Sequence, residues 1–300
     1  MAHQHAHVVS QKTSSSRLFL TMMLNFLITG VEIIGGLWSG SLSLISDALH
    51  NFSDGIAIII SYFAIRLNRL PHSEQYTFGL KRAEILAAII NSSTLIIISF
   101  FLIKEAYGRF AHPTAISGGL MIGVALIGLA ANIAGTLLLR SGAHGNMNLR
   151  AVYLHLLSDA ASSVAVILGG VAIYFYGIYW LDPLLTVLIA LYILKESFHI
   201  TKEAVQVIMM ASPQGIAMED LSREISAIRG VKNVHHIHLW RLDEHDIHFE
   251  AHVEVDDMPV RDTQTILREI EQRLLKKYHI THVTVQFETD RCAQKNLVGE

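Results

Sequence analysis

From Leu18 to about residue 210 the chain is a succession of long apolar runs; beyond that the runs shorten and alternate with charge. A bilayer core of roughly 30 Å is crossed by about 20 apolar residues in a helix. Leu18–Trp38, Leu42–Ile65, Ala83–Ile103, Ser117–Leu139 and Leu149–Tyr174 meet that length. A sixth run, Leu184–Leu194, is short and stops at Lys195 and Glu196. It spans if the helix continues to Met210 with the charged pair facing protein or reaching the interface. In the fourth run Gly119 and Gly123 have the small-xxx-small spacing that lets two helices approach closely.

After residue 212 the periodicity changes. Met218–Ile228 reads as a helix with Leu221, Ile225 and Ile228 on one face. Val234–Leu242 reads as a strand. Ile247–Val255 alternates strictly, with Ile247, Phe249, Ala251, Val253 and Val255 opposite His248, Glu250, His252 and Glu254. Asp262–Tyr278 is helical and His282–Glu288 is a last strand. The order αββαβ over about 80 residues supports one modest core. The expected fold is a six-helix transmembrane bundle followed by a small α+β cytoplasmic domain. The expected division is a tail over residues 1–16, a membrane domain over 17–210, a soluble domain over 212–290 and a tail over 291–300.

Charge orients the bundle. Lys12, Arg17, Arg66, Arg69, Lys81, Arg82, Arg140 and Arg150 gather in alternate loops, and the opposite loops hold little beyond Lys104 and Arg109. The positive-inside rule makes the first set cytoplasmic, which puts both termini inside. Composition agrees: 51% of residues are hydrophobic and only 16% charged, below the quarter usual for soluble proteins. A net charge of −3 gives no sign of a nucleic-acid partner. One cysteine, Cys292, excludes an internal disulfide and a cysteine zinc cage. The 17 histidines point to metal. His3, His5 and His7 lie in a polar tail with no signal-peptide core; capture of metal and an idle tail are both open readings.

Two spans carry the same signature, His50-x-x-x-Asp54 and His155-x-x-x-Asp159. Residues four apart share one helix face, a turn apart. Two such helices packed together offer two nitrogens and two oxygens, a good tetrahedral zinc set. Ionisable groups in mid-membrane cost several kcal/mol each by most scales, about 3 kcal/mol at the low end. Four of them in matched pairs are hard to explain by packing. Asp47 shares the ligand face and serves either as a partner behind the ligands, on a hydrogen bond or a water path, or in packing alone. Glu32 and Asn25 read as ties between helices.

The run Ser39-Gly-Ser-Leu-Ser-Leu-Ile-Ser-Asp-Ala-Leu-His-Asn-Phe-Ser-Asp54 resembles the second helix of the cation diffusion facilitator family. His155-Leu-Leu-Ser-Asp159, Tyr76-Thr-Phe-Gly-Leu-Lys-Arg-Ala-Glu-Ile-Leu86 and Val234-His-His-Ile-His-Leu-Trp240 are similar to three further family segments. The resemblance covers nearly the whole chain. It implies a homodimer in a lipid bilayer that exports Zn2+ in exchange for H+, and His50 resembles the zinc-preferring branch. It also implies a metal site in the soluble domain at His235, His252 and Glu288, with Gln286 beside it; His238, His248 and His282 are lesser candidates.

The chain departs from the family in places. Tyr76 and Leu80 stand where a loop metal site has histidines, so that site is expected to be missing. Gln264 replaces another histidine ligand. Arg82 faces Met210 where some members have an acid. An intramembrane metalloenzyme would normally show His-Glu-x-x-His, which is absent here; a sensor that binds without transport is a second rival. The chain is therefore read as no enzyme. The loop Ser141–Leu149 has no long histidine-rich insert, which favours a bacterial cytoplasmic membrane. The physiological metal among zinc, cadmium, cobalt, iron and manganese stays open.

Overall fold

The computed structural model describes residues 23–68, 70–143, 147–243, 246–292 and 295–298. His3, His5 and His7, Lys12, Arg17, Arg69 and the start of the first expected span lie outside them. Six helices occupy the apolar part: α1 (Met23–Ser39), then α2 (Leu42–Asn68), α3 (Ala83–Ala111), α4 (Gly118–Ala143), α5 (Met147–Tyr176) and α6 (Leu181–Ile208). Among the described residues, four stretches are long and apolar enough to cross a membrane: Ala83–Ala111, Gly118–Leu138, Tyr153–Tyr176 and Leu181–Ile208. The 27 residues of α2 reach about 40 Å. α3 runs past the expected Ile103 because Lys104, Glu105 and Arg109 are good helix formers, and Glu105 pairs with Arg109 at 3.6 Å one turn on. α6 forms through Lys195 and Glu196, which both stay exposed.

The chain packs as two compact units, one taking residues through Tyr62 with Ile90–Thr201, the other Phe63–Ile89 with Lys202–Glu300. The first is apolar outside and polar within. Leu27, Ile97, Phe101, Leu137, Leu168 and Phe198 are exposed, while Asp47, Asn51, Asn132, Asp159 and Asp182 are buried. A water-soluble surface rarely carries such apolar area; hydrocarbon welcomes it. Inside, polar side chains tie helices together. Asn51 Nδ2 donates to Glu32 Oε2 at 3.2 Å, as the sequence suggested for Glu32. Asp182, at the start of α6, caps α2: it accepts from the hydroxyls of Ser41 and Ser43 at 2.6 Å each and from Leu42 N at 2.8 Å. The amides of Leu42 and Ser43, the latter at 3.1 Å from Asp182 Oδ1, are orphans of the first helical turn, so the cap satisfies groups that lipid cannot.

Of the two spaced glycines, Gly119 lies against α5, where a Cβ would meet the Tyr174 ring at 3.7 Å, but the tightest approach is one residue earlier. A Cβ on Gly123 would meet nothing within 4 Å, whereas one on Gly118 would lie 2.8 Å from Tyr174 N and 2.9 Å from Gly170 O. The spacing pattern was present; the helix rotation that chose the contact depends on the whole bundle.

In the second unit α7 (Met218–Ser226), β1 (Val231–Arg241), β2 (Ile247–Val255), α8 (Val260–Tyr278) and β3 (His282–Glu288) follow the expected αββαβ order. β1 pairs antiparallel with β2, and β2 parallel with β3. β1 begins three residues before the expected Val234 because Val231 pairs with Val255. α7 stops short of Ile228, whose amide bonds back to Ile225 O in a tighter turn. Leu221, Ile225, Ile266, Ile270 and Leu274 from the helices close on Phe249, Ala251 and Val253. This packing turns the opposite side chains of β2, His248 to Glu254, to the other face.

Candidate metal centres

α2 and α5 bring the four predicted membrane donors together. His155 Nε2 lies 3.1 Å from Asp54 Oδ2 and 3.5 Å from Asp159 Oδ2. His50 Nε2 lies 3.4 Å from Asp54 Oδ2 and 4.0 Å from Asp159 Oδ1. The two rings stand edge to face with centroids 5.8 Å apart. Zinc bonds of about 2.0–2.2 Å put tetrahedral N and O donors roughly 3.3–3.5 Å apart. These four His–Asp edges bracket that value; the donors that all lie within 4.8 Å of one another are His50, His155 and Asp159, and Asp54 meets the set through the two imidazoles. Asp54 Oδ2 and Asp159 Oδ2 are shut off from solvent and meet no donor in bonding geometry. Two carboxylates and two neutral imidazoles carry −2 in total, which a divalent cation balances.

Asp47 is buried behind this cluster and accepts a hydrogen bond from Ser162 Oγ of α5 at 2.9 Å. Its partner is thus a serine rather than one of the four donors. Asp47, His50, Asp159 and Ser162 line a partly open pocket of about 300 Å³ together with Leu185, Leu188, Ile189 and Ile193 of α6. Ser162 was not singled out in the sequence, although it lies seven residues after His155, two helical turns along the same face.

A second cluster forms on the sheet. His235 of β1 pairs in register with His252 of β2, and His252 with Gln286 of β3. Glu288 closes β3 and is buried with His235. His235 Nε2 lies 2.9 Å from Glu288 Oε1, and His252 Nδ1 lies 3.4 Å from Glu288 Oε2. Neither His235 Nε2 nor Glu288 Oε1 makes a hydrogen bond. His235 Nδ1 is instead held by Asn233 Oδ1 at 2.9 Å, which fixes the ring and directs Nε2 at Glu288. Burial holds the His252 imidazole below its ordinary pKa; Glu288 opposes the shift, and His236 and His235 add to it. The neutral ring that results is the form that binds metal. These donors fit a zinc-class cation.

Two residues here escaped the sequence reading. Cys292 Sγ stands 3.7 Å from His252 Nδ1 and 3.5 Å from Glu288 Oε2, so the single cysteine joins the cluster. Asn233 orients His235. Gln286 is exposed on β3. Of the lesser candidates, His238 is exposed, and His248 stacks on Trp240 with the tilted ring of His282 4.5 Å away.

Residues 18–209 match the model of the cation efflux transmembrane domain, and residues 213–290 that of the cation efflux protein cytoplasmic domain. The chain belongs to the cation efflux family. Among its cation efflux relatives, the cadmium, cobalt and zinc/H(+)-K(+) antiporter of Bacillus subtilis (strain 168) is 35% identical over 305 residues, covering 99% of this chain and 95% of the relative. Zinc transporter ZitB of Escherichia coli (strain K12) is 34% identical over 297 residues, 97% of this chain and 94% of the relative. Metal cation efflux system protein CzcD of Cupriavidus metallidurans is 35% identical over 292 residues, with 97% and 91% covered. This cation efflux protein is accordingly a multi-pass integral membrane protein. In the loop after α2, Lys81 pairs with Asp246 and lies 3.7 Å from Asp243.

Proposed function

We propose that the protein exports Zn2+ from the cytoplasm in exchange for protons, with the ion held by His50, Asp54, His155 and Asp159 during passage. The observation that carries this reading is the convergence of four N/O donors, two from each of two membrane helices, with edges of 3.1–4.0 Å. The names of the relatives, among them zinc transporters and a zinc/H(+)-K(+) antiporter, support the cargo and the exchange.

The chemistry follows from the donors. Zinc takes neutral imidazole, so its arrival releases protons held on His50 and His155. When the site next faces an acidic compartment, protons compete for the same nitrogens and displace the ion. Asp54 and Asp159 supply the charge that makes a dication welcome there. The 300 Å³ pocket beside them offers a water-sized route past Asp47. Alternating access of the bundle would carry the ion across.

The same reading assigns the division into residues 1–16, 17–210, 212–290 and 291–300, a homodimer, both termini in the cytoplasm, a bacterial inner membrane and no enzymatic activity. His235, His252 and Glu288 would hold a zinc ion that stays with the soluble domain; Gln286 would stand beside it. A bound ion there joins β1, β2 and β3 by charge as well as by backbone pairing.

The test is flux in sealed vesicles with a panel of divalent metals and a pH-sensitive dye. Zinc should move with protons in the opposite direction, and apparent zinc affinity should fall as the pH is lowered, because protons and metal compete for the same donors. Zinc movement that neither shifts protons nor responds to a pH gradient would overturn the exchange.

A further inference from the structure

The reading above leaves the soluble-domain ion with three donors. A three-ligand zinc site keeps an open position for water; a four-ligand site is closed and structural. We propose that Cys292 is the fourth donor, so that the soluble site is a closed shell of two nitrogens, one oxygen and one sulfur. The inference rests on the assignment of His235, His252 and Glu288 as metal ligands.

The geometry fits sulfur specifically. Zinc–sulfur bonds of about 2.3 Å, longer than those to N and O, set tetrahedral S-to-N and S-to-O edges near 3.5–3.6 Å. Cys292 Sγ lies 3.7 Å from His252 Nδ1 and 3.5 Å from Glu288 Oε2. All four donor atoms lie within 4.8 Å of one another. The cysteine does not stand alone in pointing to a ligand. His235 Nε2 and Glu288 Oε1, on side chains 1% and 2% exposed, face the same spot without a hydrogen bond.

The chain also presents the thiol there without help from a metal. Asp290 adopts a left-handed conformation, φ 49°, which reverses the chain just after β3. Beyond the cysteine, Asn296 O accepts from His236 N at 3.0 Å and Leu297 O from Ile237 N at 2.9 Å. Lys295 Nζ meets Glu254 Oε2 at 2.8 Å. The tail is thus stitched onto β1 at the bulge between His235 and His238, with Cys292 between two anchored points. A thiolate in the shell makes the site softer than the all-N/O membrane site and favours zinc and cadmium over manganese or magnesium.

The single cysteine makes the test unambiguous. Full-length protein carrying Asp159→Ala, reduced and in detergent, is titrated with Co2+ and followed for a thiolate-to-cobalt charge-transfer band. The band should appear as the soluble site fills, vanish in Cys292→Ser and vanish in His252→Ala. Cys292→Ser should still bind the ion, about tenfold or more weakly, the scale of losing a supporting group at such sites. In a parallel experiment Zn2+ should slow maleimide labelling of Cys292 unless His252 is removed. No charge-transfer band, with His252→Ala still abolishing one bound ion, would sink the fourth donor and leave the site standing. A band that survives His252→Ala would place the thiol's metal elsewhere and equally overturn it. Unchanged metal stoichiometry in His252→Ala would overturn the underlying site itself.

Discussion

At the scale of single residues, His50 is the position where selectivity and site geometry meet. Zinc tolerates a tight tetrahedron with Zn–N bonds near 2.0–2.1 Å. His50 gives one nitrogen on a rigid ring, 3.4 Å from Asp54 Oδ2. Aspartate there is shorter and can bind through two oxygens, which raises the available coordination number and suits the larger cadmium ion. His50→Asp should keep zinc transport and admit cadmium, narrowing the ratio of the two rates in competitive flux. An active mutant with an unchanged ratio would place the filter elsewhere. The membrane donors were legible because a helix repeats every 3.6 residues: the i, i+4 spacing alone predicts that His and Asp point the same way. The soluble donors were not legible from spacing. They sit on three strands up to 53 residues apart in number, 235 to 288, and came from family resemblance. Cys292 was missed for a related reason: one cysteine without a partner carries no periodic signal, and its place depends on a reversal at Asp290.

At the scale of elements, apolar length and alternation read well, and rotation and endpoints read poorly. β2 and β3 have the expected limits, Ile247–Val255 and His282–Glu288, since strict alternation leaves one register that buries the right face. The α4–α5 contact shows the opposite case. Glycine spacing marked Gly119 and Gly123, but the tightest approach is at Gly118, where a Cβ would lie 2.8 Å from Tyr174 N. Gly118→Ala should therefore overpack the pair and destabilise it by about 1–3 kcal/mol. Gly123→Ala, with open space around it, should be neutral or slightly stabilising. Thermal unfolding in detergent compares them; equal melting would refute the contact. The loop after α2 supports a pH prediction. The bond from Lys81 holds the Asp246 carboxyl below its ordinary range. Its stabilisation is present above the unfolded carboxylate pKa of about 3.9 and is lost as pH falls through the lower folded value. Asp246→Asn should melt below wild type at neutral pH, and the gap should close in acid. A gap that persists unchanged in strong acid would contradict the pairing.

At the scale of the whole molecule, the architecture follows from two solvents. In hydrocarbon, backbone groups must be satisfied within the segment, so apolar runs of sufficient length become helices whatever their detailed sequence. That is why six spans and an α+β appendage could be read before any contact was known. The compact units cut through α2, α3 and α6; the near end of α3 packs on the far end of α6, as Ile85 does with Ala204 and Val207. No local pattern marks such a boundary. The polar interior of the first unit is the counterpart of its apolar surface, and the donors of the membrane site are its most charged part. The central claim is that this site carries the transported ion. The most direct measurement is Zn2+ flux into sealed vesicles by wild type and by Asp159→Ala, with size and melting checked on both. Asp159 is 4% exposed, the most buried of the four donors, and supplies one of their two charges. A folded Asp159→Ala protein should move no zinc above the protein-free background; wild-type flux from that same folded protein would contradict the assignment.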